Sequence, residues 1–156
     1  MTDTLTDTFW KNMSKIHVIL LGTDNGNPVP MAPLARQDDN AIWFITSADH
    51  DTFKAAKTGQ EAKIYLGDSA GNMYGTIKGH LSASDDSDKL DDLWTPMAGA
   101  WFENGREDDS VRLMKYTPTE AEIWASDGMA KHLFETIRAN ITDDTPDSGE
   151  YGIIHF

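Results

Sequence analysis

The sequence predicts a mainly β fold, a small and mostly antiparallel barrel with helices flanking it. About seven segments have the composition or alternation of strands, and short turns, which connect antiparallel neighbours, join most of them. The helical patterns lie at the start of the chain, between some strands and at the end. We therefore expect one domain over residues 1–156, with a barrel core at about 17–126, a C-terminal helix at about 128–141 and a tail at 142–156.

The charge balance excludes several classes of partner. The chain has 13 Lys and Arg against 26 Asp and Glu, which gives a net charge of −13. A surface this acidic repels phosphate backbones, so we expect neither a nucleic-acid nor a membrane partner. Cysteine is absent, which excludes disulfides, thiolate metal sites and cysteine nucleophiles.

No segment has the pattern of a targeting sequence or a membrane span. The first residues are acidic and lack the basic and then apolar order of a signal peptide. The longest apolar runs have about five residues, far fewer than the roughly 20 that cross a bilayer. We therefore expect a cytoplasmic protein.

In the first third of the chain, apolar residues at helical spacing predict an amphipathic helix over 4–16. Strands are predicted over 17–21, near 29–36 and over 41–46, of which the last is the strongest in the chain. The second strand contains prolines, which cannot donate to a sheet ladder. We expect part of it to lie at an edge or a bulge.

The middle of the chain predicts a short helix over 50–59, with Asp49 or Asp51 as its cap and its apolar face inward. Strands follow over 62–66 and 73–83. The second of these contains glycines, which indicate bends or close approach of another backbone segment.

The last third predicts an acidic helix over 85–94, after which Thr95–Pro96 begins a new turn, because proline is favoured at the first position of a helix. Two further strands, over 110–116 and 119–125, form a hairpin-like pair around Thr117–Pro118. We also expect the apolar end of the tail to dock on the barrel or on a partner.

Motifs for metals, triphosphates, dinucleotides and hydrolase nucleophiles are absent from the sequence. His50–Asp51 is better interpreted as an exposed helix start than as a metal pair, and the acidic run 85–88 lacks the glycine and glutamate of a calcium loop. We predict no metal site. Lys54 and Lys57 fit an anion site and ordinary helix-end cations equally well.

Several local patterns occur in a characteristic order. A strand ending in Trp-Phe-Ile-Thr-Ser is followed directly by a capped helix, and later segments read Leu-Trp-Thr-Pro and Ala-Trp-Phe before a glycine. Over roughly residues 7–140 this order resembles the general stress protein subgroup of the pyridoxamine phosphate oxidase-like, flavin-binding split-barrel superfamily. The patterns are Phe9–Trp10, Trp43–Ser47, Leu93–Pro96, Ala100–Phe102 and Gly105.

The resemblance implies a split barrel that binds flavin mononucleotide (FMN) at the interface of a homodimer. In that family the cofactor phosphate lies at the end of the third strand and the start of the next helix. The corresponding positions here are Ile45, Thr46 and Ser47, followed by Thr52 and Lys54. Hydroxyls, backbone N–H groups and a helix N-terminus are suitable donors to an anion.

Two departures from the family pattern concern cations. The second strand usually ends in an Arg-Pro-Met-like triplet, which reads Ala32-Pro33-Leu34 here, and a lysine early in the next helix corresponds to Thr52. Charge-assisted hydrogen bonds contribute about 1.5–3 kcal/mol each, so losing two weakens phosphate affinity by on the order of 10²–10⁴-fold. Lys54, Arg36 or a residue of a partner chain are candidates to compensate.

Trp101 has two interpretations. The resemblance places its loop near the flavin of the partner chain, where it can shape the substrate side. Alternatively, Trp94, Met97 and Trp101 form one helical stripe that packs in a core or a dimer interface.

The leading hypothesis is therefore an FMN-binding, oxidoreductase-like protein of unknown substrate, in which the flavin carries the redox chemistry. The alternative is a split-barrel homodimer without a cofactor, which acts as a binding or structural protein. A related planar ligand, such as a deazaflavin or haem, is the third possibility.

Overall fold

The computed structural model describes residues 5–24, 26–68, 72–125 and 150–156. The C-terminal helix predicted over 128–141 lies outside this part of the chain. Within it, no helix is both long enough and apolar enough to cross a bilayer.

An antiparallel sheet forms the centre of the molecule. Its strand order is β2-β1-β5-β6-β7-β4-β3, and β8 also pairs with β7. This arrangement, curled and flanked by helices, confirms the predicted split barrel. The strands are β1 (Ile19–Thr23), β2 (Val29–Met31), β3 (Leu34–Arg36), β4 (Ala41–Ser47), β5 (Glu61–Asp68), β6 (Met73–Ser84), β7 (Val111–Ala125) and β8 (Glu150–His155). The helices are α1 (Leu5–Met13), α2 (Asp51–Lys57), α3 (Ser87–Leu93) and α4 (Pro96–Gly99).

The connection between β2 and β3 requires the sheet to curl. These two strands are the opposite ends of the strand order, yet only Ala32 and Pro33 separate them in the chain. Three residue steps span at most about 11 Å, so the two edges must meet at this corner. The prediction of one strand near 29–36 is therefore wrong. Pro33 has no N–H to donate, and it restricts the backbone of the residue before it.

The barrel interior contains one large apolar cluster. Phe9, Trp10 and Met13 on α1 pack into it, as do Phe53 and Ala56 on α2. Both predicted helices therefore bury the faces that the sequence indicated, although α1 ends at Met13 rather than near residue 16.

β7 is continuous where the sequence predicted two strands and a turn. Its 15 residues pass straight through Thr117–Pro118, so the predicted hairpin is wrong. The register with β6 shifts between Lys78 and Gly79, because Lys78 faces Glu120 and Gly79 faces Pro118. Thr119 is thus the extra residue of a bulge, and a bulge accommodates the proline that a regular ladder excludes.

Two glycines on β6 allow β7 to approach closely, as predicted. A Cβ added to Gly75, whose φ is +146°, would lie 2.0 Å from the carbonyl oxygen of Glu122. At Gly79 it would lie 2.4 Å from the carbonyl oxygen of Thr117 and would also meet the ring of Tyr116. Only glycine fits at either position.

The C-terminal segment docks on the barrel, which confirms the expectation for the tail. β8 pairs with the second half of β7, while β4 pairs with the first half. The ring of Phe156 then packs edge-on against Phe9 and Trp10, at centroid distances of 5.2 and 5.9 Å.

Candidate functional site

The end of β4 divides the predicted phosphate-binding residues between two faces of the sheet. Side chains alternate along a strand, and Ile42 and Phe44 belong to the interior cluster. Thr46, which is 6% exposed, shares that inner side, whereas Ile45 and Ser47 lie on the outer side.

His50 caps α2, so the prediction of Asp49 or Asp51 as the cap is wrong. The imidazole Nδ1 of His50 accepts a hydrogen bond from the backbone N–H of Thr52 at 3.2 Å and lies 2.8 Å from the Thr52 hydroxyl. Thr52 is 3% exposed. The residue at the expected lysine position is therefore an uncharged, buried side chain engaged with its own helix cap.

The backbone N–H groups between β4 and α2 already have partners within the chain. Because these amides are engaged, an anion at this rim would be bound mainly by side chains. The donations run from Ala48 to the Ser110 carbonyl, from Asp49 to the Ser47 hydroxyl, from His50 to the Ser47 carbonyl, from Thr52 to the His50 ring, and from Phe53 and Lys54 to the His50 carbonyl.

Arg112 is a cation at this rim that the sequence analysis missed. It faces Thr46 directly across the β4–β7 ladder, and residues so paired have their Cβ atoms about 4.5–5.5 Å apart. Its Nη1 donates to the carbonyl oxygens of Asp109 and Val111 at 2.6 and 2.8 Å. These bonds anchor the guanidinium at the end of the barrel. The pairing of β4 with β7 depends on tertiary structure, so no local signal marked this residue.

Lys54 on α2 and Arg36 on β3 are the other two candidates for compensation. Lys54 is exposed and forms an ion pair with Asp51 at 3.8 Å. Arg36 is at the end of β3 and donates to the carbonyl of Ala35 at 3.0 Å. Ala32 and Pro33 form the corner between β2 and β3.

The outer face of β3, β4 and β7 bears a second apolar cluster, which α3 covers. Leu34 and Ile45, two of the predicted site residues, belong to its partly buried margin together with Trp94 and Phe102. The structure therefore brings Leu34, Ile45 and the Trp-Phe loop onto one surface. The buried members are Ala41, Trp43, Leu90, Leu93, Val111 and Leu113.

Trp43 lies at the centre of a polar clamp over this cluster. Its indole N–H donates to Asp39 at 3.0 Å, and the same carboxylate oxygen accepts from Lys89 of α3 at 2.8 Å. The Nζ atoms of Lys89 and Lys115 lie 5.5 and 5.6 Å from the centre of the Trp43 ring. The hydrogen bond from Lys89, assisted by that from Trp43, lowers the pKa of Asp39 below its ordinary value. The clamp fastens α3 to the sheet.

Trp101 and Met97 are not part of a buried stripe in this chain. Trp101 is 83% exposed and Met97 is 73% exposed, so packing in the core of a single chain is wrong for both. Trp94 does pack, with its ring centre 5.9 Å from that of Phe102. The exposed indole of Trp101 is available to a ligand or to a partner chain.

No three His, Asp or Glu side chains gather in a metal-binding arrangement within the described ranges.

Comparison with known proteins agrees with this architecture. The family model described as pyridoxamine 5′-phosphate oxidase like matches residues 4–147. A solved structure from Jannaschia sp. CCS1, assigned as general stress protein 26, is 36% identical. The alignment covers 97% of this chain and 98% of that one, with a TM-score of 0.91.

Two Xanthomonas structures are also similar. A general stress family protein of Xanthomonas campestris pv. campestris is 28% identical over 83% of this chain and 93% of that one, with a TM-score of 0.70. The general stress FMN/FAD binding protein of Xanthomonas citri is 27% identical over 78% of this chain and 88% of that one, with a TM-score of 0.69. None of the curated proteins matches the chain significantly.

The ordered sequence patterns, the curled antiparallel sheet and the match over nearly the whole chain agree with one another. The chain belongs to the pyridoxamine 5′-phosphate oxidase-like family and, within it, to the general stress proteins.

Proposed function

We propose that this protein binds FMN at the rim formed by β3, the end of β4 and the start of α2, and that it acts as a flavin-dependent oxidoreductase. The observation that carries the proposal is family membership over residues 4–147. A general stress relative named as an FMN/FAD binding protein, 27% identical to this chain, supports it.

The side chains present at the rim fit the phosphate of FMN. Ser47 supplies a hydroxyl on the outer side of β4, and Arg112 supplies a guanidinium opposite Thr46 on the inner side. Lys54 adds an exposed ammonium on α2. The phosphate would therefore lie at the end of β4, between the two sides. Arg112 compensates in part for the uncharged Ala32 and Thr52. Arginine is well suited to this role, because its planar donors match phosphate oxygens.

The margin of the outer cluster fits the apolar part of the cofactor. Leu34, Ile45 and Phe102 offer partly buried apolar surface next to Ser47. When bound, a flavin supplies the hydride chemistry, and the protein binds it, orients it and excludes water. We assign no side chain as an acid or a base.

A homodimer is the second part of the proposal. The outer face of β1, β5, β6, β7 and β8 exposes a set of large apolar side chains. In the register of the sheet, Tyr74, Trp124 and Tyr151 form one row across three strands. Contiguous apolar surface of this kind is typical of a protein interface. A second copy of the chain is the partner that the family resemblance implies.

Flavin titration tests the cofactor. We expect purified protein to quench FMN fluorescence with saturation and to show flavin absorption bands. Arg112→Gln should weaken the affinity by about 10–100-fold, because it removes one charged hydrogen-bonding partner. Arg112→Lys should restore part of it, and Lys11→Gln, an exposed substitution on α1, should leave it unchanged. No saturable binding at a large excess of FMN would refute the proposal.

The alternative is a homodimer of the same fold without flavin. Two observations favour it: most backbone N–H groups at the rim have partners within the chain, and Thr52 is uncharged. The same titration separates the two functions. Absence of FMN binding in a protein that remains a dimer would favour the alternative.

Light scattering at micromolar concentration tests the dimer. We expect twice the mass of one chain for the wild type and a shift toward one chain for Trp124→Ser. Lys11→Gln, an exposed substitution on α1, should leave the mass unchanged. A wild-type monomer at this concentration would contradict the proposed assembly.

A further inference from the structure

A cleft of about 580 Å³ lies on the other side of the barrel from the outer cluster. Its floor is the outer face of β5 and β6, and the turn between β1 and β2 forms one wall. None of the residues proposed to bind flavin lines it. Its size is within the range of about 300–1,000 Å³ that is usual for small-molecule sites.

Two lysines on the floor of this cleft face each other. Lys63 of β5 and Lys78 of β6 are direct partners in the antiparallel ladder, and both line the cleft. Like charges directly opposite on neighbouring strands destabilise a sheet. A chain with only 13 basic residues thus places two of them opposite each other.

Only one of these two lysines has an ion pair among the described residues. Lys78 has an ion pair with Glu120 of β7 at 3.5 Å. Lys63 is half-buried and makes no ion pair within the part of the chain that the structure describes. An anion placed between Lys63 and Lys78 would interact favourably with both ammonium groups.

The rest of the cleft is lined by acidic and aromatic residues rather than by cations. The carboxylates of Asp24 and Glu61 line the cleft, and they accept hydrogen bonds rather than bind anions. Tyr65 provides a flat apolar surface. The missing side chain at Gly22 keeps the space open, because a Cβ there would lie 3.3 Å from both Pro28 and the Tyr65 ring.

We propose that this cleft is a second binding site, distinct from the flavin rim, and that its ligand is the phosphate ester of a sugar or polyol. Lys63 and Lys78 bind the phosphate between them. Asp24 and Glu61 accept hydrogen bonds from the hydroxyl groups of the ligand, and its carbon skeleton packs on Tyr65.

Calorimetric titration with glucose 6-phosphate, inorganic phosphate and glucose tests the ligand class. We expect glucose 6-phosphate to bind most tightly, inorganic phosphate more weakly and glucose not at all. Equal affinity for inorganic phosphate and glucose 6-phosphate would show that the hydroxyl groups of the ligand do not contribute to binding, and would overturn the proposed ligand class. Absence of heat with glucose 6-phosphate at millimolar concentration would overturn the site.

Substitution of the lysines tests the assignment. Lys63→Gln and Lys78→Gln should each weaken glucose 6-phosphate binding by about 10–100-fold, and Lys11→Gln is the matched control. Without ligand, Lys63→Gln should raise the melting temperature, because it removes the repulsion. An unchanged affinity in both variants, or a lower melting temperature for free Lys63→Gln, would contradict the argument.

FMN titration of the same variants separates this proposal from the flavin rim. Lys63→Gln and Lys78→Gln should bind FMN as the wild type does. Loss of FMN binding in these variants, with normal binding in Arg112→Gln, would show that the cleft is the flavin site and would overturn the proposal of two sites. If the wild type bound glucose 6-phosphate but no FMN, the proposal of a ligand site in the cleft would be supported and the proposal of a flavin site at the rim would be refuted.

Discussion

The two stretches of the outer sheet face differ in what covers them. Over β3, β4 and the first half of β7, the chain covers its own sheet: α3 packs on Trp43, which is 5% exposed. Over β1, β5, β6 and β8, no described helix lies on the outside, and Trp124 is 49% exposed.

The covered stretch is closed by contacts within the chain, including the clamp of Asp39, Lys89 and Trp43. On the bare stretch the ring centres of Trp124 and Tyr151 lie 4.9 Å apart and Lys78 pairs with Glu120, but no described helix covers these side chains. The difference indicates that the covered face contributes to folding, whereas the bare face is suited to binding another chain or a ligand.

The largest difference in the free energy of unfolding should be between variants at Trp43, on the covered face, and variants at Trp124, on the bare face. Trp43→Ala removes a buried ring and a hydrogen bond to Asp39, and should lower the free energy of unfolding by about 3–5 kcal/mol. Trp124→Ala removes a half-exposed ring that contacts Tyr151 and should lower it by only about 0.5–1.5 kcal/mol in the monomer. Urea denaturation at low protein concentration measures both, and similar losses would remove the distinction between the two faces.

Tyr116 supports the bare stretch from inside the barrel. Its hydroxyl lies 2.8 Å from the carbonyl oxygen of Ala62 and 3.1 Å from that of Ile77, and burial raises its pKa far above the ordinary range. Tyr116→Phe leaves these buried acceptors without that donor, so we expect a loss of about 1–3 kcal/mol in denaturant unfolding. A neutral result would mean that water replaces the hydroxyl.

The clamp of Asp39, Lys89 and Trp43 on the covered face should make the free energy of unfolding depend on pH. The folded-state pKa of Asp39 is lowered, so its stabilising effect is present above the ordinary value of 3.8 and is lost as the pH falls through the folded-state pKa. Asp39→Asn should cost about 0.5–1.5 kcal/mol at neutral pH. It should also flatten the decline of stability below the ordinary carboxyl value, as measured by unfolding at a series of pH values. An unchanged acid slope would contradict the assignment.

The smallest effect is expected at Trp101, whose ring is solvated. Trp101→Ser should leave the free energy of unfolding within about 0.5 kcal/mol and should act on flavin binding or dimer mass instead. A large loss of stability would show that the indole packs within its own chain.

Much of the fold could be predicted because its signals are local. The apolar faces of α1 and α2, the strand over Ala41–Ser47, the cap at Thr95 and the close approach at Gly75 follow from residue type and spacing. The errors arose where tertiary structure overrode a local preference. Pro118 indicates a turn by itself, but a bulge against β6 keeps it within β7.

The candidate site was less predictable. The sequence identified the rim through Thr46, Ser47 and the following helix, but it could not place Arg112 beside them. It also assigned the cap to an aspartate, whereas His50 accepts the hydrogen bond. Capping by a histidine ring depends on the rotamer and tautomer that the surrounding packing selects.

The sequence by itself determined the antiparallel barrel, the family and the acidic surface, because alternation, turn residues and composition act over short distances or over the whole chain. Only the tertiary structure decided which charges are neighbours. Arg112 lies across from Thr46, and Lys63 from Lys78, solely because of strand register. Register is a property of pairs of distant segments, which no single segment encodes.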